Sequence, residues 1–159
     1  EQVLRTLGRI GSVEHVDVWL DEMFEQKNKI SGFGHRVYKA YDPRARILGP
    51  LAAHLARNNR YGKPLYAIAR RLEEAMLDRV GRQKKVFPNV DFYSGIVYRC
   101  MGIDPEMYTP LFAVSRVAGW TARVHEYLQH NRIFRPRAMY VGQCDQRFVP
   151  VEQRGEASV

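Results

Sequence analysis

Capping side chains set just ahead of prolines, with glycines at the far ends of apolar stretches, divide this chain into one helix after another. Asp42-Pro43 and Thr109-Pro110 both place an oxygen acceptor before a proline. The acceptor satisfies a free N–H of a helix's first turn, where proline's missing N–H is no loss. Apolar residues then recur three and four apart, as they do along one helical face. Ser12 is placed to cap a helix over 13–26 with Val16, Trp19, Leu20 and Met23 on one side. A helix over 43–58 carries Ile47, Leu48, Leu51 and Leu55, until Asn58-Asn59-Arg60-Tyr61-Gly62 breaks it. Pro64 starts the next, with Leu65, Ile68, Leu72 and Met76 inward and Gly81 at its end. A short helix over 92–101 is closed by Gly102, and Asp104-Pro105 restarts the chain. Thr109-Pro110 then opens a long helix that ends near Gln129.

Beyond that point the helical period stops. Ile133 to Val159 holds Pro136, Gly142, Pro150 and Gly155, and reads as an extended arm with short strands at 139–141 and 148–151. Phe134, Tyr140 and Phe148 suit an arm that lies on another surface, such as a partner subunit. The chain opens at Glu1 rather than at a methionine, which points to a piece of something longer.

Composition narrows the classes of function. Hydrophobic residues at 45% and charged residues at 26% of the 159 positions are ordinary for a globular protein. No apolar run reaches a bilayer span, so no membrane role is expected. The net charge of +8 invites a polyanion. The basic residues are scattered from Arg5 to Arg154, however, with Arg70-Arg71 and Lys84-Lys85 the only doublets, and aromatics do not interleave with them. A small anionic ligand fits that distribution better than nucleic acid. Cys100 and Cys144 have neither metal-site spacing nor a disulfide framework, so no metal and a reducing, cytoplasmic compartment are expected.

The chemistry concentrates in Gly32-Phe33-Gly34-His35-Arg36-Val37-Tyr38-Lys39, followed by Asp42-Pro43-Arg44. Glycines allow close backbone approach, the imidazole can donate to a polarised oxygen, and a guanidinium grips a carboxylate with two N–H groups. A substrate with a carbonyl beside a carboxylate suits that set. Asp91, in Pro88-Asn89-Val90-Asp91, reads either as a helix cap or as a base shielded by Phe87 and Phe92. Arg116 lies among Leu111, Phe112, Val114, Val117, Trp120 and Val124, which favours a buried anionic partner over a solvated head. Arg135-Pro136-Arg137 by itself reads as a solvated basic turn.

Three segments in register give these residues a common context: Gly32–Arg44, Phe87–Gly95, and Thr109–Gly142 with Ser115-Arg116, Gly119-Trp120 and Arg135-Pro136. In order and separation they resemble the C-terminal part of the citrate synthase family, including its 2-methylcitrate branch, over nearly the whole chain. The resemblance implies an all-α, citrate synthase-like fold. Residues 1–100 would form most of the small domain that closes on coenzyme A, lacking its N-terminal edge. Residues 101–159 would be the C-terminal portion of the large domain, with the long helix and the extended arm.

It also implies roles. His35 matches the histidine that hydrogen-bonds the keto oxygen of oxaloacetate, and Asp91 the carboxylate that deprotonates the methyl group of acetyl-CoA. Arg44 and Arg116 match arginines holding the substrate carboxylates. Arg135 matches one that reaches a neighbouring subunit's site. Asn28, Lys29, Ile30, Ser31 and Gly32 match the loop around the adenine end of coenzyme A. The coenzyme A thioester is then a substrate, with no tightly bound cofactor, and the intact enzyme a homodimer.

The sequence departs from the family in two ways. It holds no Leu-His-Gly motif for the histidine that stabilises the enol, and no earlier oxaloacetate-binding histidine; His15, His54, His125 and His130 sit in other contexts. Arg123 stands where many bacterial relatives carry histidine. The expectation is a catalytic portion that is inactive alone, with apolar surface on the long helix left open to self-association. A non-catalytic coenzyme A-binding module is the alternative from another class.

Overall fold

A computed structural model describes residues 1–132 together with 139, 141, 142, 144, 145 and 150. Arg135 and most of the two expected arm strands lie outside the described residues. Among those described the chain is helical without a strand, and an isolated antiparallel bridge pairs Phe33 with Pro88. It divides into two compact units, Glu1–Trp120 and Thr121–Val159.

The first unit begins with α1 (Gln2–Ile10), which buries Val3, Leu7 and Ile10. The loop after it leads into α2 (Val16–Glu25), which buries Val16 and Leu20. Ser12 is not the cap of α2: His15 occupies that position, and no side chain caps it. α3 (Pro43–Ala56) starts as expected, with the Asp42 side chain accepting from the Arg44 N–H. Its buried face is only partly the expected one: Leu48 and Leu55 are half-buried against the core, but the fully buried positions are smaller residues. Ala45, Gly49, Ala52 and Ala56 point inward, while Ile47 and Leu51 are 72% and 41% exposed. Small residues let α3 lie close against a later helix, and a Cβ on Gly49 would already sit 3.4 Å from the Tyr93 ring.

α4 (Gly62–Met76) buries Ile68, Leu72 and Met76 as the spacing predicts. It does not stop at Gly81. A π-helical turn over Leu77–Gly81 carries it into α5 (Arg82–Lys84), and Lys85 at φ 54° ends the run. α6 (Val90–Cys100) packs on α3, α4 and α1 and supplies Phe92, Tyr93, Ile96 and Val97 to the core. Phe92, Ile96, Leu7, Val16, Leu20 and Leu72 are all at 0% exposure, and removing one such side chain from water is worth ~1.5–3 kcal/mol. After Gly102 the Asp104 side chain caps a 3₁₀ turn, Pro105–Met107, which runs directly into α7 (Tyr108–Gln129). The long helix is therefore capped from Asp104 rather than from Thr109. Tyr108 is buried, its hydroxyl donating to the Gly95 carbonyl at 3.2 Å. Past it Phe112, Val114, Val117 and Trp120 are more than half exposed, as the apolar-surface expectation required.

In the second unit, the described residues are mainly the end of α7. Val124 and Leu128 there are exposed, and Arg123 pairs with Glu126 at 2.6 Å.

Candidate active site

Two loops of the first unit meet, one carrying His35 and the other leading into α6, on which Asp91 sits. Their backbones are stitched together. The Gly34 N–H donates to the Phe87 carbonyl at 2.9 Å, and the Asn89 N–H to the Gly32 carbonyl at 2.8 Å. Gly32 makes the approach possible. Its φ is +89°, and a Cβ there would lie 2.8 Å from Phe92 Cδ2 and 3.0 Å from Val3 Cγ2. Phe33 then packs its ring edge-on against Phe92, 4.7 Å between centroids.

Asn89 has two functions in this junction. Its side-chain oxygen caps α6 by accepting from the Asp91 N–H at 2.9 Å, and its amide nitrogen donates to the Gly34 carbonyl at 3.0 Å. The cap reading of Asp91 is thereby corrected. Asp91 sits one residue inside the helix, exposed, with a carboxylate that the capping does not use. It is not shielded by Phe87 and Phe92 as the sequence allowed.

His35 is fixed by its own turn. Nδ1 accepts from the Val37 N–H at 3.1 Å and the Tyr38 N–H at 3.0 Å, and the ring stacks on Tyr38 with centroids 4.6 Å apart. A nitrogen that accepts carries no proton, so the neutral ring holds its hydrogen on Nε2. That Nε2 lies 3.3 Å from Arg44 Nη2. Both are then N–H bearers, and an oxygen placed between them accepts from each.

Arg44 is held from behind by Asp42, which is 1% exposed. Oδ1 accepts from Nε at 3.0 Å and Oδ2 from Nη2 at 2.7 Å, a two-pronged, charge-assisted pair. The same carboxylate caps α3 through the Arg44 N–H at 2.9 Å. The Arg44 side-chain hydrogen bond holds the Asp42 carboxyl below the usual carboxylate range, against the opposing effect of burial. The Asp42 hydrogen bond raises Arg44 in turn, and the charge of Asp91 adds to that effect, which puts Asp91 within electrostatic reach of the pair. The guanidinium also lies over the Tyr38 ring, 5.7 Å from its centroid.

The remaining site residues divide by location. Asn28–Gly32 runs straight into the His35 turn. Asn28 and Lys29 are exposed, the Asn28 side chain donates to Gln26 at 2.8 Å, and Ile30 packs on the core. Arg116 stands exposed on α7 with its guanidinium 5.0 Å from the Phe112 ring centroid. It has no buried anionic partner among the described residues, and no contact there joins it to His35 or Arg44. The sequence reading passed over Asn89, and took Asp42 as a cap alone. The signal for Asn89 was present in Pro88-Asn89-Val90-Asp91, where the amide comes first and occupies the cap. No cluster of metal-binding side chains occurs among the described residues.

The fold is shared with solved enzymes. The citrate synthase of Thermoplasma acidophilum, solved as a ternary complex with carboxymethyl coenzyme A and oxaloacetate, superposes with TM-score 0.82 at 39% identity over 96% of this chain and 41% of its own. That of Thermotoga maritima gives 0.79 at 40% identity, over 98% and 42%. The citrate synthase of Deinococcus radiodurans is 45% identical over 97% of this chain and 40% of its own length. That of a Synechocystis species is 47% identical over 97% and 38%. The architecture is thus the all-α, citrate synthase-like one. The family described as citrate synthase, C-terminal domain, matches residues 1–137, and the chain belongs to the citrate synthase family. It spans from 30% to 41% of the length of curated relatives it matches.

Proposed function

We propose that the protein to which this chain belongs condenses acetyl-CoA with oxaloacetate and water to give citrate and coenzyme A, the entry step of the tricarboxylic acid cycle. The observation that carries this is the paired N–H groups of His35 and Arg44, 3.3 Å apart, within electrostatic reach of an Asp91 carboxylate that Asn89 relieves of capping. Asp91 takes a proton from the thioester methyl group. The enol carbon attacks the ketone, and negative charge grows on the oxygen facing His35 Nε2–H. A fixed donor there stabilises the transition state more than the ground state. Arg44 and Arg116 hold the oxaloacetate carboxylates, Arg135 does so in the neighbouring subunit's site, and this grip fixes the angle of attack. Asn28, Lys29, Ile30, Ser31 and Gly32 wrap the adenine end of coenzyme A. Hydrolysis of citryl-CoA completes the turnover.

Coenzyme A enters as a substrate, with no tightly bound cofactor. Residues 1–100 belong to the small domain and 101–159 to the large one, in a cytoplasmic homodimer. No described helix is long and apolar enough to cross a membrane. Propionyl-CoA is the less favoured acyl donor, since the relatives compared above are citrate synthases.

The test is thiol release from acetyl-CoA and oxaloacetate, by the chain alone and after assembly with the N-terminal portion of a citrate synthase. Activity is expected in the assembly only. Asp91→Asn should lower it ~10²–10⁴-fold, the usual contribution of a positioned base, while leaving the fold intact. A demonstrably assembled but silent complex would overturn the proposal and favour a coenzyme A-binding module.

A further inference from the structure

One buried acid of the first unit lies outside the site described above. Glu73 on α4 is 2% exposed, while Glu74 beside it faces solvent. A buried carboxylate is costly unless it is both paired and hydrogen-bonded. Glu73 satisfies that condition through three elements. The Tyr41 hydroxyl donates to Oε1 and the Tyr93 hydroxyl to Oε2, and Arg70 Nη1 donates to Oε2 at 2.8 Å. Arg70 is anchored in turn by Glu74 Oε1 at 3.1 Å. Burial first, and the Glu73 acceptor second, raise both tyrosines above the ordinary phenol range, so each hydroxyl keeps its proton to donate.

The two tyrosines occupy telling positions. Tyr41 immediately precedes Asp42, which clamps Arg44. Tyr93 lies two residues beyond Asp91 on α6. Two phenylalanines facing an apolar side chain would fill the same space without burying a charge. Packing therefore does not account for the acid, whereas fastening two segments does.

We propose that Glu73 is a positioning residue for the condensation site: by accepting from Tyr41 and Tyr93 together it fixes the His35–Arg44 segment relative to the Asp91 turn. This is a second fastening, additional to the backbone stitch between Gly32–Gly34 and Phe87–Asn89. It rests on the roles assigned to His35, Arg44 and Asp91 above.

Hydrogen exchange on the 159-residue chain tests the fastening directly. Glu73→Gln should accelerate the amides of Gly34, Tyr38 and Asp91 about tenfold, the loss of one charge-assisted hydrogen bond. The amides of Leu7 and Leu20 should change much less. Acceleration spread evenly over the unit, or none, overturns the proposal. Tyr41→Phe and Tyr93→Phe keep it decidable if Glu73→Gln does not fold, since each should loosen chiefly its own segment. In the assembled enzyme, Tyr41→Phe should raise the KM for oxaloacetate. Tyr93→Phe should lower kcat and enlarge the isotope effect with trideuterated acetyl-CoA, because proton removal by a displaced Asp91 becomes slower. Lowered stability with unchanged KM and isotope effect also overturns it. A wild-type assembly that makes no citrate would refute the functional reading, and exchange would still decide whether Glu73 couples the two segments.

Discussion

Replacing Gly32 with alanine separates two kinds of glycine requirement within a single loop. At φ +89° an alanine enters the left-handed region, at a cost of ~1–2 kcal/mol. The added methyl also meets Phe92 Cδ2 at 2.8 Å, Val3 Cγ2 at 3.0 Å and the Phe92 backbone at 3.2 Å. Phe92 is at 0% exposure and cannot swing aside, so overpacking adds ~1–3 kcal/mol. The sum is ~2–5 kcal/mol. Gly34, two residues on at φ +82°, has nothing within 4 Å of its would-be Cβ. Gly34→Ala should therefore cost the conformational part alone, ~1–2 kcal/mol. Gly8, inside α1 with nothing within 4 Å, should become more stable by ~0.5–1 kcal/mol as alanine. Urea titration of the three variants, followed by far-UV circular dichroism, gives the series. With m near ~2 kcal/mol/M the Gly32 midpoint should fall by ~1–2.5 M. Equal losses at Gly32 and Gly34 would show that the contact with Phe92 carries no energy, and with it the account of how the two loops are held together.

Asn89→Ala removes the cap on α6 and the bond to Gly34, and should cost ~2–3 kcal/mol by urea titration, whereas Asn89→Asp keeps the cap acceptor and should lose only ~1 kcal/mol. Because the folded state holds Asp42 below its unfolded pKa, its stabilisation is complete above pH ~4 and disappears as pH falls through the lower folded value. Acid titration monitored by circular dichroism should therefore show a shallower loss of stability in Asp42→Asn, which starts from a lower plateau at neutral pH. Ala52→Leu, on the buried face of α3, should destabilise by ~1–3 kcal/mol, while Ile47→Ala on its exposed face should stay within ~0.5 kcal/mol by the same assay.

Cap chemistry is local, which is why so much of it was legible. Asp42 and Asp104 each accept from an N–H two residues ahead, and nothing distant is needed to see that. The inward face of α3 was only partly legible: Leu48 and Leu55 do pack on the core, but two sets share the helical period. Ile47, Leu48, Leu51 and Leu55 recur at that spacing, and so do Ala45, Gly49, Ala52 and Ala56. Hydrophobicity favours the first set, but the partner decides. The Tyr93 ring lies so near α3 that a Cβ at position 49 would already be in van der Waals contact with it, at 3.4 Å. Glu73 was equally hidden, for it and Glu74 are indistinguishable along the chain until Tyr41 and Tyr93 arrive from other elements.

Asn89 and Asp91 show how one local choice frees another residue for chemistry. Either type of side chain can cap a helix by accepting a hydrogen bond. Only the amide can also donate, and the Gly34 carbonyl of the neighbouring loop takes that donated bond. An aspartate at position 89 would set a carboxylate against that carbonyl and leave it without a partner. The junction between the loops thus selects asparagine for the cap, and the acid two residues on keeps its carboxylate outside the helix's own hydrogen bonding. A base must be able to take a proton from a substrate rather than stay committed to its own backbone. The stitch that joins the His35 and Asp91 segments is therefore the same feature that, on the proposed reading, leaves Asp91 free to act as the base.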